Sequence, residues 1–261
     1  MAQKLTSWLA EEYQIQIQSD KIKFGILSGL QWNDVLLLDS QQDTLVYVEE
    51  VKIQTYNLSF NNFKNVYLKG LQLNYQYGDS VADAELYRYI APFLNSKKES
   101  KALVIDNFWI NGGRIDVGSK TEQRSFRNLD LFLRDCKLSS ETEFVLSNLE
   151  WVQLKGQKHQ LEAEQIIISN LGHTIEGFSW ESLNSVMKLD FRQRQDSAEL
   201  IIHQLEIDEN AAAGLYNHWP HSLQFGLSAK FNIVGDSLWS DTLQIESDNG
   251  SEVNGALGIE N

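Results

Sequence analysis

The chain has 261 residues, 42% of them hydrophobic and 11% aromatic, with seven Trp and nine Tyr. That much apolar side chain can fill a substantial core, which excludes a disordered tail. A formal charge of -14, with no basic stripe to reverse it locally, repels phosphate backbones and excludes nucleic acid as a partner, while the single Cys136 excludes an intrachain disulfide and leaves the compartment open.

The first twenty residues, MAQKLTSWLAEEYQIQIQSD, lack the basic start, apolar core and small-residue cleavage site of a signal peptide. No stretch reaches the roughly 18 consecutive apolar residues of a spanning helix. As it stands this reads as a soluble chain, or a piece of one whose targeting segment lies upstream. Between Gln3 and Tyr13, apolar Leu5, Trp8 and Leu9 recur at i, i+3, i+4, which predicts a short amphipathic helix lying on a sheet. A second helix is expected over Asp83–Asn95, with Leu86, Tyr89, Ile90, Phe93 and Leu94 on one side and Pro92 near its end. The polar run Ser96–Lys101 then reads as a solvated connector.

Almost everything else alternates with period two. IQIQ (15–18), KIKF (21–24), LQLNYQY (71–77), LDLFL (129–133), QFGLSAKFNIV (224–234) and TLQIE (242–246) read as half-buried antiparallel strands. Turns are expected at Gly78-Asp79, Gly112-Gly113, Gly235-Asp236, Asn249-Gly250 and Asn254-Gly255. Only two Pro interrupt the chain, so long ladders are permitted. FKNVYLKGLQLNY (63–75) laid over IDNFWINGGRIDV (105–117) gives an internal repeat with an offset of 42 residues, 105 minus 63. Its shorter form, apolar-x-Asn-apolar, recurs at Phe126–Leu129, Leu146–Leu149 and Ile168–Leu171, which suggests one hairpin per step of about 21 residues. The rhythm runs on to the last residues without a polar cap, so more protein is expected beyond Asn261.

Catalytic chemistry finds little support in these residues. His218 and His221 lie three apart but supply too few ligands for a metal, and His159, His173 and His203 are isolated. Glu162 with Glu164, and Asp208 with Glu209, read as the wet face of a strand rather than an acid/base pair. Gly70 and Gly112-Gly113 lack a phosphate-binding fingerprint and read as turns or bulges. Cys136 has no paired His motif nearby. Neither an enzyme nor a cofactor is expected. Alternation places Leu71, Leu73, Tyr75, Ile115, Val117, Leu129, Leu131 and Leu133 on one common face, and a sealed sandwich core and an open apolar groove both fit that pattern. A glycan-binding surface would need several Trp along one exposed strip.

The segments AQKLTSWLAEE (2–12), the alternating strand Ile15–Phe24, the hairpin DVLLLDSQQDTLVYVEEVKI (34–53) with Asp43, Thr44 and Leu45 as its turn, LKGLQLNY (68–75), the helix at Asp83–Asn95 and IDNFWINGGRIDV (105–117) together resemble the N-terminal region of TamB/AsmA-like translocation and assembly module proteins of the Bacteroidota type. The resemblance covers roughly the first 120 residues and continues as pattern only. It implies a mainly β fold, an elongated, twisted antiparallel sheet forming a hydrophobic groove, with residues 1–101 holding the helices and first hairpins and 102–261 a repeating sheet. It also implies lipid transport between inner and outer membranes and outer-membrane biogenesis in the periplasm. The eight alternating positions would then face phospholipid acyl chains. The other implied partners are the inner membrane, through an upstream anchor missing here, and an outer-membrane assembly barrel of the BamA/TamA kind. The alternative is a structural docking module that assists outer-membrane protein assembly by β-augmentation.

Overall fold

The structure, a computed structural model, describes residues 16–25, 29–38, 44–56, 62–76, 102–118, 123–139, 141–152, 156–183, 185–207, 225–234, 237–247 and 252–259. Sixteen strands account for nearly all of them, and no helix occurs among the described residues. Both expected helices, Gln3–Tyr13 and Asp83–Asn95, lie outside them, as do the connector Ser96–Lys101 and the turns at Gly78-Asp79, Gly235-Asp236 and Asn249-Gly250. The chain divides into two compact units, Met1–Ser140 and Glu141–Asn261.

The first unit holds β1 (Gln16–Gln18), β2 (Lys21–Gly25), β3 (Gly29–Leu38), β4 (Thr44–Thr55), β5 (Asn62–Lys69), β6 (Gln72–Gln76), β7 (Leu103–Gly118) and β8 (Gln123–Leu138). β1 and β2 both pair with β3, then β4 follows, then β5 and β6 end to end, then β7 and β8. Pairing is antiparallel except where β7 lies parallel to β5 and to β6. The sheet is therefore mixed, which corrects the expectation of an antiparallel one. The cause is visible in the register: Phe63 lies beside Ile105, Asn65 beside Asn107, Leu73 beside Ile115 and Tyr75 beside Val117. Every one of these pairs differs by the 42 residues of the sequence repeat. The two copies are parallel neighbours, not successive hairpins.

The second unit holds β9 (Glu141–Val152), β10 (Lys158–Ser169), β11 (Gly172–Ser182), β12 (Ser185–Arg194), β13 (Ser197–Glu206), β14 (Phe225–Val234), β15 (Ser237–Ser247) and β16 (Glu252–Ile259). Each pairs antiparallel with the next. Here the shorter Asn pattern marks no common structural position: Asn148 lies within β9, and Asn170 lies in the turn after β10. Two expected turns are also corrected: Asn254-Gly255 lies inside β16, and Thr44 and Leu45 open β4. Gly112-Gly113, read as a turn or a bulge, is a bulge inside β7.

A regular irregularity shapes both units. Apolar residues step by two along the strands, then once by three, then by two again: Leu30, Trp32, Val35, Leu37 on β3; Val46, Val48, Val51, Ile53 on β4; Phe144, Leu146, Leu149, Trp151 on β9. A step of three would turn the apolar set to the wrong face unless one extra residue were absorbed as a bulge. Backbone with positive φ marks such places, with Asp34 at 52°, Gly70 at 62°, Gly112 at 64°, Asn128 at 51° and Gly177 at 61°. On β3 and β4 the extra residues face one another, so that pair stays in register from Leu30 to Leu37. A bulge frees an amide from the ladder, and a neighbouring carboxylate takes it up. Gly112 N donates to Asp130 Oδ1 at 2.8 Å, and Gly177 N donates to Asp190 Oδ1 at 2.7 Å.

Candidate functional site

In the first unit the register lines up apolar residues strand by strand. Ile22 lies opposite Trp32, Trp32 opposite Val51, Val51 opposite Leu68, Leu68 beside Ile110, and Ile110 opposite Leu131. Beyond the bulges a second line runs through Ile17, Leu37, Val46, Leu73, Ile115 and Phe126. Both lines belong to one face, because Trp32, Val35 and Val48 form a single buried cluster against which Ile17, Ile22, Leu30, Val46, Val51, Leu68 and Leu71 pack. At β7 the same continuity holds: a side chain on Gly113 would meet those of Ile110 and Leu129.

All eight sequence-predicted positions fall on this face. Leu73 neighbours Ile115, Tyr75 neighbours Val117, Leu129 sits opposite Gly113, Leu131 opposite Ile110 and Leu133 opposite Phe108. Leu129 is buried at 7% exposure; Leu71, Leu73, Tyr75, Ile115, Val117, Leu131 and Leu133 are half-buried. The described strands of the unit belong to one sheet, and their main contacts are with the strands they pair with. Sequence reading missed Ile22, Leu30, Trp32, Val48, Val51, Leu68 and Ile110. Their signal was the two-three-two spacing, which strict alternation overlooks.

The opposite face is a polar lattice. Gln31 Nε2 donates to Glu50 at 2.5 Å, Lys52 Nζ to Glu50 at 2.7 Å, Asn65 Nδ2 to Gln54 at 2.7 Å, and Asn107 Nδ2 to Asn65 at 3.1 Å. These bonds run across β3, β4, β5 and β7. The Lys52 hydrogen bond, which outweighs the opposing effect of burial, holds the Glu50 carboxyl below its ordinary range. Trp109 stacks on Phe132 with ring centroids 5.1 Å apart, a cross-strand aromatic pair set among these polar groups. Such a face needs water or its own partners; the apolar face needs neither.

The second unit repeats the division. Phe144, Ile166, Ile175, Phe191, Leu200 and Phe231 lie in cross-strand register on one face, and so do Leu149, Leu161, Trp180, Met187, Leu205, Leu227 and Ile245. Opposite them, Gln165 bonds Glu143, Arg192 pairs with Glu176 at 2.8 Å and Lys230 with Glu199 at 2.6 Å. A recess of about 380 Å³ on the polar side is lined by Glu164, Glu176, Gly177, Asp190 and His203, among others. Its centre is structural: Asp190 accepts from the Gly177 amide and meets His203 Nε2 at 2.8 Å. Burial alone would raise the Asp190 carboxyl, but those two hydrogen bonds, together with the nearby charges of His203 and Arg192, outweigh it and hold the group below its ordinary range.

The remaining residues considered for chemistry stay apart. Glu162 accepts from Gln160 at 2.9 Å, and Glu164 lies across Gly177. His218, His221, Asp208 and Glu209 lie outside the described residues. No group of three or more His, Cys, Asp or Glu able to hold a metal ion occurs among the described residues. Cys136 is 3% exposed, and burial, with the Asp135 charge adding to it, pushes its thiol up to about 11. The folded chain should therefore react with a disulfide reagent at about pH 8 at least tenfold more slowly than the urea-unfolded chain, because almost no thiolate is present. Equal rates would show that β8 opens freely. No protein-family model matches the chain, and no curated protein or solved structure is significantly similar to it.

Proposed function

We propose that the chain is a lipid-handling segment of an envelope-spanning TamB/AsmA-like protein, with phospholipid acyl chains lying on the apolar face of its sheet and the parent protein anchored in the inner membrane and reaching through the periplasm. The observation that supports this most is the apolar face of the first unit's sheet, on which twelve named residues from Ile17 to Leu131 lie in two lines of cross-strand register while the other face carries a polar lattice. Each methylene laid on such a face contributes about 0.8 kcal/mol on leaving water. No residue need make or break a bond, and head groups remain in water at the rim. A charge placed on the face must lose either its own hydration or the lipid.

Leu131→Asp tests this reading, since Leu131 lies at mid-strand on β8 opposite Ile110. The expected result is loss of most phospholipid that co-purifies with the wild-type chain, read by mass spectrometry of the extracted protein. The control is Asn111→Asp, which adds the same charge on the polar side beside Lys69. Asp130 is unsuitable as a control because its carboxylate holds the Gly112 amide. Equal lipid in the wild type and Leu131→Asp, both folded, would sink the proposal.

A second reading, docking by β-augmentation onto an outer-membrane assembly barrel, is favoured by β16. It pairs only with β15 among the described strands, and all eight of its residues are exposed, including Val253, Leu257 and Ile259. An apolar strand edge of this kind is a template for another strand. Under this reading Val253→Lys with Leu257→Lys abolishes capture of such a barrel and leaves lipid content unchanged.

A further inference from the structure

His159 is the one titratable side chain among the described residues that is fully buried, and neither the polar lattice nor the proposed lipid face uses it. Its ring lies between two indoles, 4.8 Å from Trp151 and 5.9 Å from Trp180, tilted 14° to each. The three rings come from β9, β10 and β11, so the stack ties three strand ends together. Neither imidazole nitrogen has a hydrogen-bond partner among the described residues. Around the stack the register places Leu149, Leu161, Ser182, Ser185 and Met187, with Gln157 just before β10. Ser182 spends its hydroxyl on the Lys158 carbonyl at 3.0 Å.

The charged groups of the same strands lie on the other face. Glu150 and Lys158 pair there at 2.6 Å, and Glu162, Glu181 and Lys188 alternate with the apolar residues in the same sense. No described carboxylate therefore meets the ring. A protonated imidazole would gain some cation–π attraction from the indoles but would lose its hydration entirely. Burial accordingly holds the His159 imidazole below its ordinary value.

We propose that the Trp151–His159–Trp180 stack is an acid-released clasp, closed while His159 is neutral and opened when protonation draws the ring into water and parts β9, β10 and β11 at that end. The clasp belongs to the fold of the second unit and holds whether or not the apolar face takes lipid. The open form regains an ordinary imidazole, with a pKa near 6.5. Each pH unit below that value multiplies the opening constant by up to about tenfold, until the folded-state value is reached. The gain of stability is thus present above about pH 6.5 and lost as the pH falls. Asp190, held below its ordinary range, stays charged through this window and does not contribute.

Amide hydrogen exchange on the intact chain, corrected for intrinsic rates, tests the clasp. Between about pH 7.5 and pH 5.5, protection around Trp151, His159 and Trp180 should fall about tenfold, while β14 and β15 hold theirs. His159→Phe keeps a flat ring in the stack without the proton and should abolish the fall. His203→Gln, on the polar side, should leave it intact. Should His159→Phe fail to fold, titration of the His159 ring by NMR in the wild type decides the matter: a midpoint below that of an exposed imidazole, coincident with lost protection, supports the clasp. Unchanged wild-type protection, an equal fall in His159→Phe, or an ordinary midpoint overturns it.

Discussion

Trp180→Ala is expected to destabilise the second unit by about 3–5 kcal/mol, the range for removing a buried aromatic side chain. Trp180 is 3% exposed, stacks on His159 and lies in register between Leu161 and Met187. In a two-layered domain a facing element relaxes into part of such a cavity. The described strands here make their main contacts with their ladder neighbours, so relaxation comes chiefly from residues on either side. Thirteen apolar residues are buried among those described, three of them Trp, so each carries a large share of the core. Urea unfolding monitored by circular dichroism measures the loss. A change under about 1 kcal/mol would mean that the indole is not part of a closed core.

Gly172→Ala should cost roughly 3 kcal/mol, the second largest single effect expected. Gly172 opens β11 with φ at 150°, a conformation that side chains rarely adopt, and a Cβ there would fall inside the carbonyl oxygen of Gln193 on β12. The glycine joins the β10–β11 hairpin to the β11–β12 ladder, so the backbone cannot yield at one without disturbing the other. Gly226→Ala is the matched comparison. Its Cβ would meet only Glu246 at 3.9 Å, ordinary contact, and the change should be neutral or slightly stabilising. Equal destabilisation by the two substitutions would contradict the close approach at Gln193.

Period-two alternation made the β character plain, and most of the expected strands reappear: 21–24 within β2, 129–133 within β8, and 225–234 as β14. What alternation could not supply was the partner of each strand. The match of 63–75 with 105–117 was visible, but similar strands can lie antiparallel in successive hairpins or parallel in one register. Only the pairing of Asn65 with Asn107 and of Tyr75 with Val117 distinguishes the two. The bulges were in principle legible, since a step of three within an alternating strand demands an extra residue. Val48 to Val51 and Phe126 to Leu129 show it plainly once the spacing is read across neighbouring strands. The role of Asp130 was not legible, because a side chain that caps a bulge amide looks, in sequence, like any exposed carboxylate. His159 was read as isolated for a similar reason: its two indole neighbours lie eight residues before and 21 residues after it, counted as 159 minus 151 and 180 minus 159.

Site-specific photocrosslinking reads directly whether the apolar face of the first unit meets lipid, as proposed. A photoreactive residue is placed in turn at Ile115, on the apolar face beside Leu73, and at Asn111, on the polar face beside Lys69. The protein is then exposed to phospholipid vesicles, irradiated and analysed by mass spectrometry for covalent lipid adducts. Adducts at position 115 with few or none at 111 are the predicted result; equal labelling at both positions, or none at 115, would contradict a lipid-bearing apolar face.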